Sequence, residues 1–149
     1  MNKTLTIALV AHDRRKADMV DWALYNADML SKHKLICTGT TGGLIKEAMS
    51  KRGIEVDITR MNSGPMGGDA EIAALVVRKQ IDLAIFLIDD LNAQPHEADI
   101  QMLLRQCRVH NIPIACNRYS ADLMITSALW DDETYVPSTP NYVAFNREE

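Results

Sequence analysis

The chain has few cysteines, no excess of basic charge and no long hydrophobic run. Its three cysteines, Cys37, Cys107 and Cys116, form no Cys-x-x-Cys pair, which argues against a disulfide framework or a zinc site. Their apolar surroundings predict buried free thiols, which suit a reducing cytoplasm. Sixteen basic against 20 acidic side chains argue against nucleic acid as the main partner. The absence of a signal-peptide pattern and of a run near ~20 apolar residues argues against export and membrane insertion.

The remaining composition, 47% hydrophobic and 24% charged, is typical of one globular domain spanning residues 1–149. Apolar runs predict strands over residues 5–11, 34–38, 54–58, 81–88 and 112–116. Helical spacing predicts helices over residues 20–30, 44–49, 70–77, 100–107 and 120–128. This alternation predicts an α/β fold, a doubly wound parallel five-stranded sheet with flanking helices. The tail from Asp131 is either a strand or an ordered extension.

Polar or glycine-rich clusters follow four of the predicted strands. In order they are His12, Asp13 and Lys16; Thr38–Gly43; Ser63–Asp69; and Asp89–Asp99. Ligands of open parallel sheets bind beyond the carboxyl ends of the strands. The function is therefore expected along this edge of the sheet.

The segment Ser63–Asp69 is the most informative of these clusters. It holds three glycines and one proline within seven residues and ends in a carboxylate, directly before a predicted helix. Glycine N–H groups approach anions closely, and the start of a helix favours negative charge. The segment predicts an anion site, in which Asp69 is either a helix cap or a group that transfers a proton.

The threonine- and glycine-rich segment Thr38–Gly43 offers hydroxyls and close-approaching N–H groups, as a phosphate site would. It matches neither the P-loop nor the dinucleotide-binding spacing. A tight strand-to-helix turn is the other interpretation. Lys16 is likewise either a solvated helix residue or a point charge for a phosphate.

Two histidines, His12 and His96, share this edge with several carboxylates. Asp13 and Asp99 are either helix-start residues or parts of a site. No His-Glu-x-x-His spacing is present, so the combination favours proton transfer over metal chemistry.

Several of these blocks together resemble the methylglyoxal synthase family. The blocks are Val10–Asp13, Lys16, Thr38–Gly42, Ser63–Asp69, Asp89, Leu91–Ala93, Pro95–His96 and Asp99. The resemblance extends in order over residues 5 to 130 and becomes loose beyond Asp131.

The resemblance implies a phosphate-eliminating lyase that converts dihydroxyacetone phosphate to methylglyoxal and inorganic phosphate without a cofactor or metal. It implies that Asp69 is the base, that His96 contacts the substrate oxygens and shuttles protons, that Asp99 orients His96 and that Asp89 tunes the cluster. The implied substrate-binding residues are His12, Lys16, Thr38, Gly39, Thr40, Thr41, Ser63, Gly64 and His96. It further implies a cytoplasmic homohexamer that inorganic phosphate inhibits.

Three positions extend or depart from the family pattern. Asp90 stands where proline is expected, and like-charge repulsion predicts a raised pKa for Asp89 or Asp90. Gly43 adds a flexible position to the phosphate turn. Arg147 is a candidate for the family arginine that reaches a neighbouring subunit.

Two alternatives come from other functional classes. The same fold serves as a ligand-sensing regulatory domain, which needs a phosphate site but not Asp69, His96 and Asp99. A receiver-like domain would need a late lysine at a strand end, and a flavodoxin-like one would need aromatic residues near the site. The lysine is missing, and the chain has only eight aromatic residues.

Overall fold

A parallel sheet forms the centre of the computed structural model, which describes residues 2–138 and residue 140. Its strands are β1 (Thr6–Ala11), β2 (Lys34–Cys37), β3 (Asp57–Arg60), β4 (Leu83–Leu87) and β5 (Ile114–Ala115). They lie in the order β3-β2-β1-β4-β5, and every neighbouring pair is parallel. The predicted five-stranded parallel sheet is confirmed.

Helices cover both faces of this sheet. They are α1 (Lys16–Tyr25), α2 (Ala27–Leu30), α3 (Gly39–Lys51), α4 (Gly68–Val77), α5 (Glu97–Val109) and α6 (Arg118–Ile125), with short 3₁₀ helices at Asp13–Arg15 and Gly64–Met66. Successive side chains of a strand point to opposite faces. Ile7 and Leu9 of β1 therefore pack with Trp22 on one face, whereas Val10 packs with Ile72 on the other. No described helix is long and apolar enough to cross a membrane.

The chain order creates a crevice between the carboxyl ends of β1 and β4. From β1 the chain moves outward through β2 to β3, and then returns to place β4 on the other side of β1. Such a reversal is where open α/β sheets bind ligands. The His12 N–H donates to the Leu87 carbonyl at 3.2 Å, so the residues following β1 and β4 meet there.

Several predicted element boundaries are wrong. The third strand covers Asp57–Arg60 and not residues 54–58, because Ile54 and Val56 pack into the core before the chain pairs with β2. The second predicted helix begins at Gly39 rather than Leu44, so the glycine-rich turn is itself helical. The first predicted helix is two helices, which are separated at Asn26.

The structure also tests the predictions about the three cysteines and about the tail. Cys37 and Cys107 are buried free thiols, but Cys116 is exposed, because it directly follows the short β5 at the edge of the sheet. In the tail, Asp132 forms an isolated antiparallel bridge with Asn2, and its other described residues form no strand. Arg147, like Tyr142 and Phe145, lies outside the described residues.

His33 is a buried histidine that lies between Leu5, directly before β1, and Trp130, which follows α6. The Leu5 N–H donates to its Nδ1 at 3.0 Å, so the neutral ring carries its proton on Nε2, which lies 3.3 Å from Nε1 of Trp130. Burial lowers the pKa of His33, which outweighs the opposing effect of Asp131. The protein therefore holds this ring in its neutral form, because a proton on Nδ1 would remove the acceptor of the Leu5 N–H.

We expect the free energy of unfolding to fall as the pH is lowered below about 6.5. The unfolded chain takes up a proton on His33 at the ordinary pKa, whereas the folded chain resists it. The stabilisation is present above the unfolded pKa and is lost as the pH falls through the lowered folded pKa. Urea unfolding at pH 8 and pH 5.5 measures the difference, and His33→Gln should reduce it. His110→Gln, at the end of α5, is the control; an equal reduction there would contradict this role for His33.

Candidate active site

Three polar side chains meet at the crevice: His12 after β1, Asp69 in the first turn of α4, and His96 directly before α5. His96 Nε2 lies 3.6 Å from Asp69 Oδ2. The rings of His12 and His96 are perpendicular, with their centroids 5.7 Å apart. All three residues are at most 9% exposed. The structure thus brings together three titratable groups that are far apart in the chain.

The Asp69 carboxylate is completely buried and is not a helix cap. Gly67 occupies the capping position, and neither oxygen of Asp69 has a hydrogen-bond partner among the described residues. Burial raises the pKa of Asp69 to about 6, although the nearby His96 acts in the opposite direction. Such a carboxylate is a stronger base than an exposed one and still ionises near neutral pH. The capping interpretation is therefore wrong.

The ring of His12 is held in one tautomer by the backbone of Asp89. The Asp89 N–H donates to Nδ1 of His12 at 2.9 Å. Because Nδ1 must accept this bond, the neutral ring carries its proton on Nε2, a buried atom without a partner in the described part of the chain. Burial, followed by the nearby His96, lowers the pKa of His12. His12 therefore presents a neutral N–H donor to the crevice.

The backbone at Gly64 approaches the two other groups closely. A Cβ at this position would lie 2.7 Å from His96 Nε2 and 3.3 Å from Asp69 Oδ1. Any other residue would displace one of these side chains. The glycine in the Ser63–Asp69 segment is thus required by close packing against the acid and the histidine.

These groups line a cavity of about 250 Å³. The cavity lies below the ~300–1,000 Å³ of sites for drug-sized ligands, so it suits a small molecule. Its wall consists of Val10, Ala11, His12, Asp13, Lys16, Thr38, Thr40, Ser63, Gly64, Pro65, Asp69, Gln94 and His96. The Lys16 ammonium on this wall pairs with the exposed carboxylate of Asp13.

Thr38 and Thr40, at the start of α3, line another part of the cavity. Thr38 precedes the helix with an extended backbone, and its hydroxyl donates to that of the buried Thr41 at 3.4 Å. The Gly39 N–H donates to the Asn62 carbonyl at 3.2 Å. A helix start attracts anions through its N–H groups, and here Thr40 continues that turn on the wall.

Comparison with known proteins identifies the family. A family model described as an MGS-like domain matches residues 18–116. A methylglyoxal synthase of Treponema socranskii is 74% identical over 148 residues, covering 99% of this chain and 94% of its own. The chain belongs to the methylglyoxal synthase family. The resemblance inferred from the sequence motifs and the expectation of an enzyme are confirmed.

Other members of the methylglyoxal synthase family match almost as completely. The protein of Pseudoalteromonas atlantica is 44% identical over 137 residues, covering 92% of this chain and 98% of its own. The crystal structure of the methylglyoxal synthase from Elizabethkingia anophelis NUHP1 superposes with a TM-score of 0.85 at 41% identity. That match covers 97% of this chain and 91% of the other. The regulatory-domain, receiver-like and flavodoxin-like alternatives are therefore set aside.

Most residues that the sequence assigned to a methylglyoxal synthase site line the cavity, but four do not. Gly39 already uses its N–H on Asn62, and Thr41 lies beneath the turn. Asp89 lines an adjoining cavity of about 290 Å³ that shares His12 with the first. Asp99 donates its backbone N–H to the His96 carbonyl, while Nδ1 of His96 has no partner among the described residues. The Asp99 carboxylate therefore does not hold the imidazole in this structure.

Sequence reasoning overlooked Gln94 and Pro65 on the cavity wall. Gln94 is held by a bond from its Nε2 to the Asn92 carbonyl at 3.1 Å. Both residues lie within segments that the sequence had marked as clusters at strand ends. Only the position in the chain could have suggested them, because a glutamine or a proline in a loop carries no chemical signal of its own.

Like-charge repulsion between Asp89 and Asp90 was expected to raise the pKa of one of them, and for Asp89 this expectation is wrong. Hydrogen bonds from Asn92 Nδ2 and from the Leu91 N–H lower the pKa of Asp89. These donors stabilise the charged carboxylate, so repulsion from the adjacent acid does not decide its ionisation.

His12, Asp69 and His96 also satisfy the spacing of a metal site, since one ligand atom of each lies within 4.8 Å of the others. Two histidines and a carboxylate are a ligand set that some metal ions accept. The hydrogen bond to His12 argues against this use, because it places the proton on Nε2, the atom that faces the site. A metal ion would have to displace that proton and form an imidazolate.

Proposed function

We propose that this chain converts dihydroxyacetone phosphate to methylglyoxal and inorganic phosphate, using its own side chains and no cofactor or metal. The observation that carries the proposal is the convergence of Asp69, His96 and His12 on one small cavity. Thr38 and Thr40 at the start of α3, together with Ser63 and Gly64, line the same cavity. An anion site beside a buried base fits a substrate that has both a phosphate and an acidic C–H bond.

In the first step, we propose that Asp69 removes a proton from the hydroxymethyl carbon next to the carbonyl. The buried carboxylate is suited to this role, because a general base is most effective when its pKa lies near the working pH. The electrons of the C–H bond move toward the carbonyl oxygen and form an enediolate. The Nε2 proton of His12 and the imidazole of His96 are the donors proposed to stabilise that oxygen.

In the second step, we propose that the hydroxyl on the deprotonated carbon gives its proton to His96 and becomes the aldehyde oxygen. The carbon–carbon double bond shifts to the carbon that bears the phosphate, and the C–O bond to the phosphate breaks. The products are inorganic phosphate, which takes the proton from His96, and the enolate of methylglyoxal, which takes the proton from Asp69 on carbon to give methylglyoxal. We propose that Lys16, the first turn of α3 and Ser63 hold the phosphate so that the C–O bond stands perpendicular to the enediolate plane. In the same role they would stabilise the charge that the phosphate gains.

The test measures both products. The purified full-length chain, supplied with dihydroxyacetone phosphate and a metal chelator, should release methylglyoxal and phosphate in equal amounts. Binding of the substrate without phosphate release would contradict the proposal and favour a sensing role.

The rate should depend on pH through Asp69. Its pKa of about 6 predicts that kcat/KM is high above that value and falls as the pH decreases through it, because only the ionised carboxylate accepts a proton. The phosphate ester of the substrate also titrates near pH ~6. A carbon-detected NMR titration of the free enzyme separates the two groups. If Asp69 titrates near its ordinary value, the explanation by burial is wrong.

Three further proposals rest on the family resemblance: a homohexamer, inhibition by inorganic phosphate and a cytoplasmic location. Phosphate is a product that carries the same charged group as the substrate, so competition at the first turn of α3 is expected. Cys37 and Cys107, as buried free thiols, are consistent with a reducing compartment. Analytical ultracentrifugation and initial rates with added phosphate test the first two.

A further inference from the structure

Arg60, the last residue of β3, lies across the first turn of α3. Its Nε donates to the Gly39 carbonyl at 2.9 Å. A Cβ at Gly42 would lie 2.9 Å from its Cγ, and a Cβ at Gly43 would lie 2.9 Å from its Nη2. The two glycines thus form a flat surface on which the side chain rests. Gly43 therefore allows the Arg60 guanidinium to pack closely, whereas the sequence suggested that this glycine provides flexibility.

The chain on either side of this contact forms two walls of the cavity. Gly39 is followed by Thr40, which lines it, and Arg60 is followed by the linker Met61–Ser63, whose last residue lines it. The Gly39 N–H also bonds to Asn62 within this linker, and the Asn62 N–H donates to Glu71 Oε1 at 2.8 Å. Arg60 therefore joins the start of α3 to the segment that leads into Ser63 and Gly64.

The charge of Arg60 is unfavourable for the helix that it contacts. The N-terminus of a helix prefers negative charge, so a cation beside the first turn of α3 opposes the dipole. The same cation becomes favourable once a phosphate lies at that helix start. Lys16, the cation that does line the cavity, is paired with Asp13. A cation at this position is therefore better explained by binding of an anion at the helix start than by the stability of α3 alone.

We propose that Arg60 is a positioning residue that fixes the first turn of α3 against the Met61–Ser63 linker for binding of the substrate's phosphate. The inference rests on the proposed function, which it extends to a residue that does not line the cavity. A planar guanidinium suits the role, because it can lie on Gly43 while its Nε–H points at the Gly39 carbonyl. A lysine ammonium would supply the charge without this geometry.

The test compares Arg60→Ala, Arg60→Lys and Gly43→Ala. Arg60→Ala should raise KM about tenfold, the size expected for losing a hydrogen bond of a charged group. Its kcat should stay within about threefold, because the residue does not touch Asp69, His96 or His12. Arg60→Lys should leave KM raised. Arg52→Ala, an exposed arginine at the other end of α3, should match the wild type and is the control.

The double variant Gly43→Ala with Arg60→Ala isolates the contact. Alone, Gly43→Ala should raise KM, because its Cβ displaces the guanidinium. In the Arg60→Ala background it should change KM less than about twofold, since the guanidinium that provides the three nearest atoms to this Cβ is gone. Additive effects would overturn the contact, and full rescue by Arg60→Lys would show that charge alone matters.

Failure of this inference is distinguishable from failure of the proposed function. Turnover by the wild type and by Arg52→Ala tests the function, whereas the KM of Arg60→Ala relative to them tests the inference. If no variant turned over dihydroxyacetone phosphate, calorimetric binding of inorganic phosphate would take the place of KM. Equal phosphate affinity in the wild type and Arg60→Ala would then overturn the role of Arg60.

Discussion

Replacing Asp69 with asparagine is expected to lower kcat at least ~100-fold, the smaller end of what general base catalysis contributes. The amide has nearly the shape of the carboxylate but cannot accept the proton from carbon. KM should change little, because the groups proposed to hold the phosphate, namely Lys16, Ser63 and the first turn of α3, are not altered. Steady-state kinetics with dihydroxyacetone phosphate measures both constants.

The stability of the same variant separates loss of chemistry from loss of fold. The folded chain disfavours the Asp69 charge, as its raised pKa shows, so the neutral amide should leave Tm unchanged or higher. Asp28→Asn, which removes an exposed charge on α2, is the matched control and should keep full activity. If Asp69→Asn retained kcat within tenfold of the wild type, another residue would have to be the base.

Replacing Gly64 with alanine is expected to lower kcat/KM by about 100-fold, the effect of misplacing catalytic groups by about 1 Å. The new Cβ would lie 2.7 Å from His96 Nε2, so the imidazole must leave its present position beside Asp69. The backbone at Gly64 lies outside the left-handed region, so alanine is compatible with its conformation. Activity should therefore fall with little change in Tm.

Gly67→Ala in the same segment should show the opposite pattern. In the described part of the chain no atom lies within 4 Å of a Cβ at Gly67, but its φ of +100° is unfavourable for alanine. This variant should lose stability, with Tm lower by ~2–4 °C for each kcal/mol, and keep its kinetics. If Gly64→Ala instead lost stability and kept activity, close packing against His96 would not be what this glycine provides.

Several features of the site follow from the sequence because the carboxyl ends of parallel strands share one edge. His12, Ser63, Gly64, Asp69 and His96 could be expected together once the strands were recognised. The distances between these side chains could not be predicted. Whether Asp69 is a helix cap or a base depends on where its carboxylate points, and tertiary packing sets that direction. The burial of that group, and its lack of a hydrogen-bond partner among the described residues, exist only in the folded chain.

The errors have a common physical origin. Apolar content at Ile54 and Val56 suggested a strand, but the ladder with β2 begins at Asp57, because register depends on the partner strand. The glycines of Thr38–Gly43 suggested a loop, although contact with Arg60 favours small residues within a helix. Local preference was overridden by contacts between residues distant in the chain.

By itself the sequence determined the alternation of strands and helices, the edge where function lies and the family, because periodicity and motifs are local properties. The tertiary structure alone decided which atoms meet. It placed the Asp89 N–H on His12, brought Gly64 against His96 and laid Arg60 on Gly42 and Gly43. Each of these contacts joins segments separated in the chain, and such a contact depends on how the elements pack rather than on any one segment.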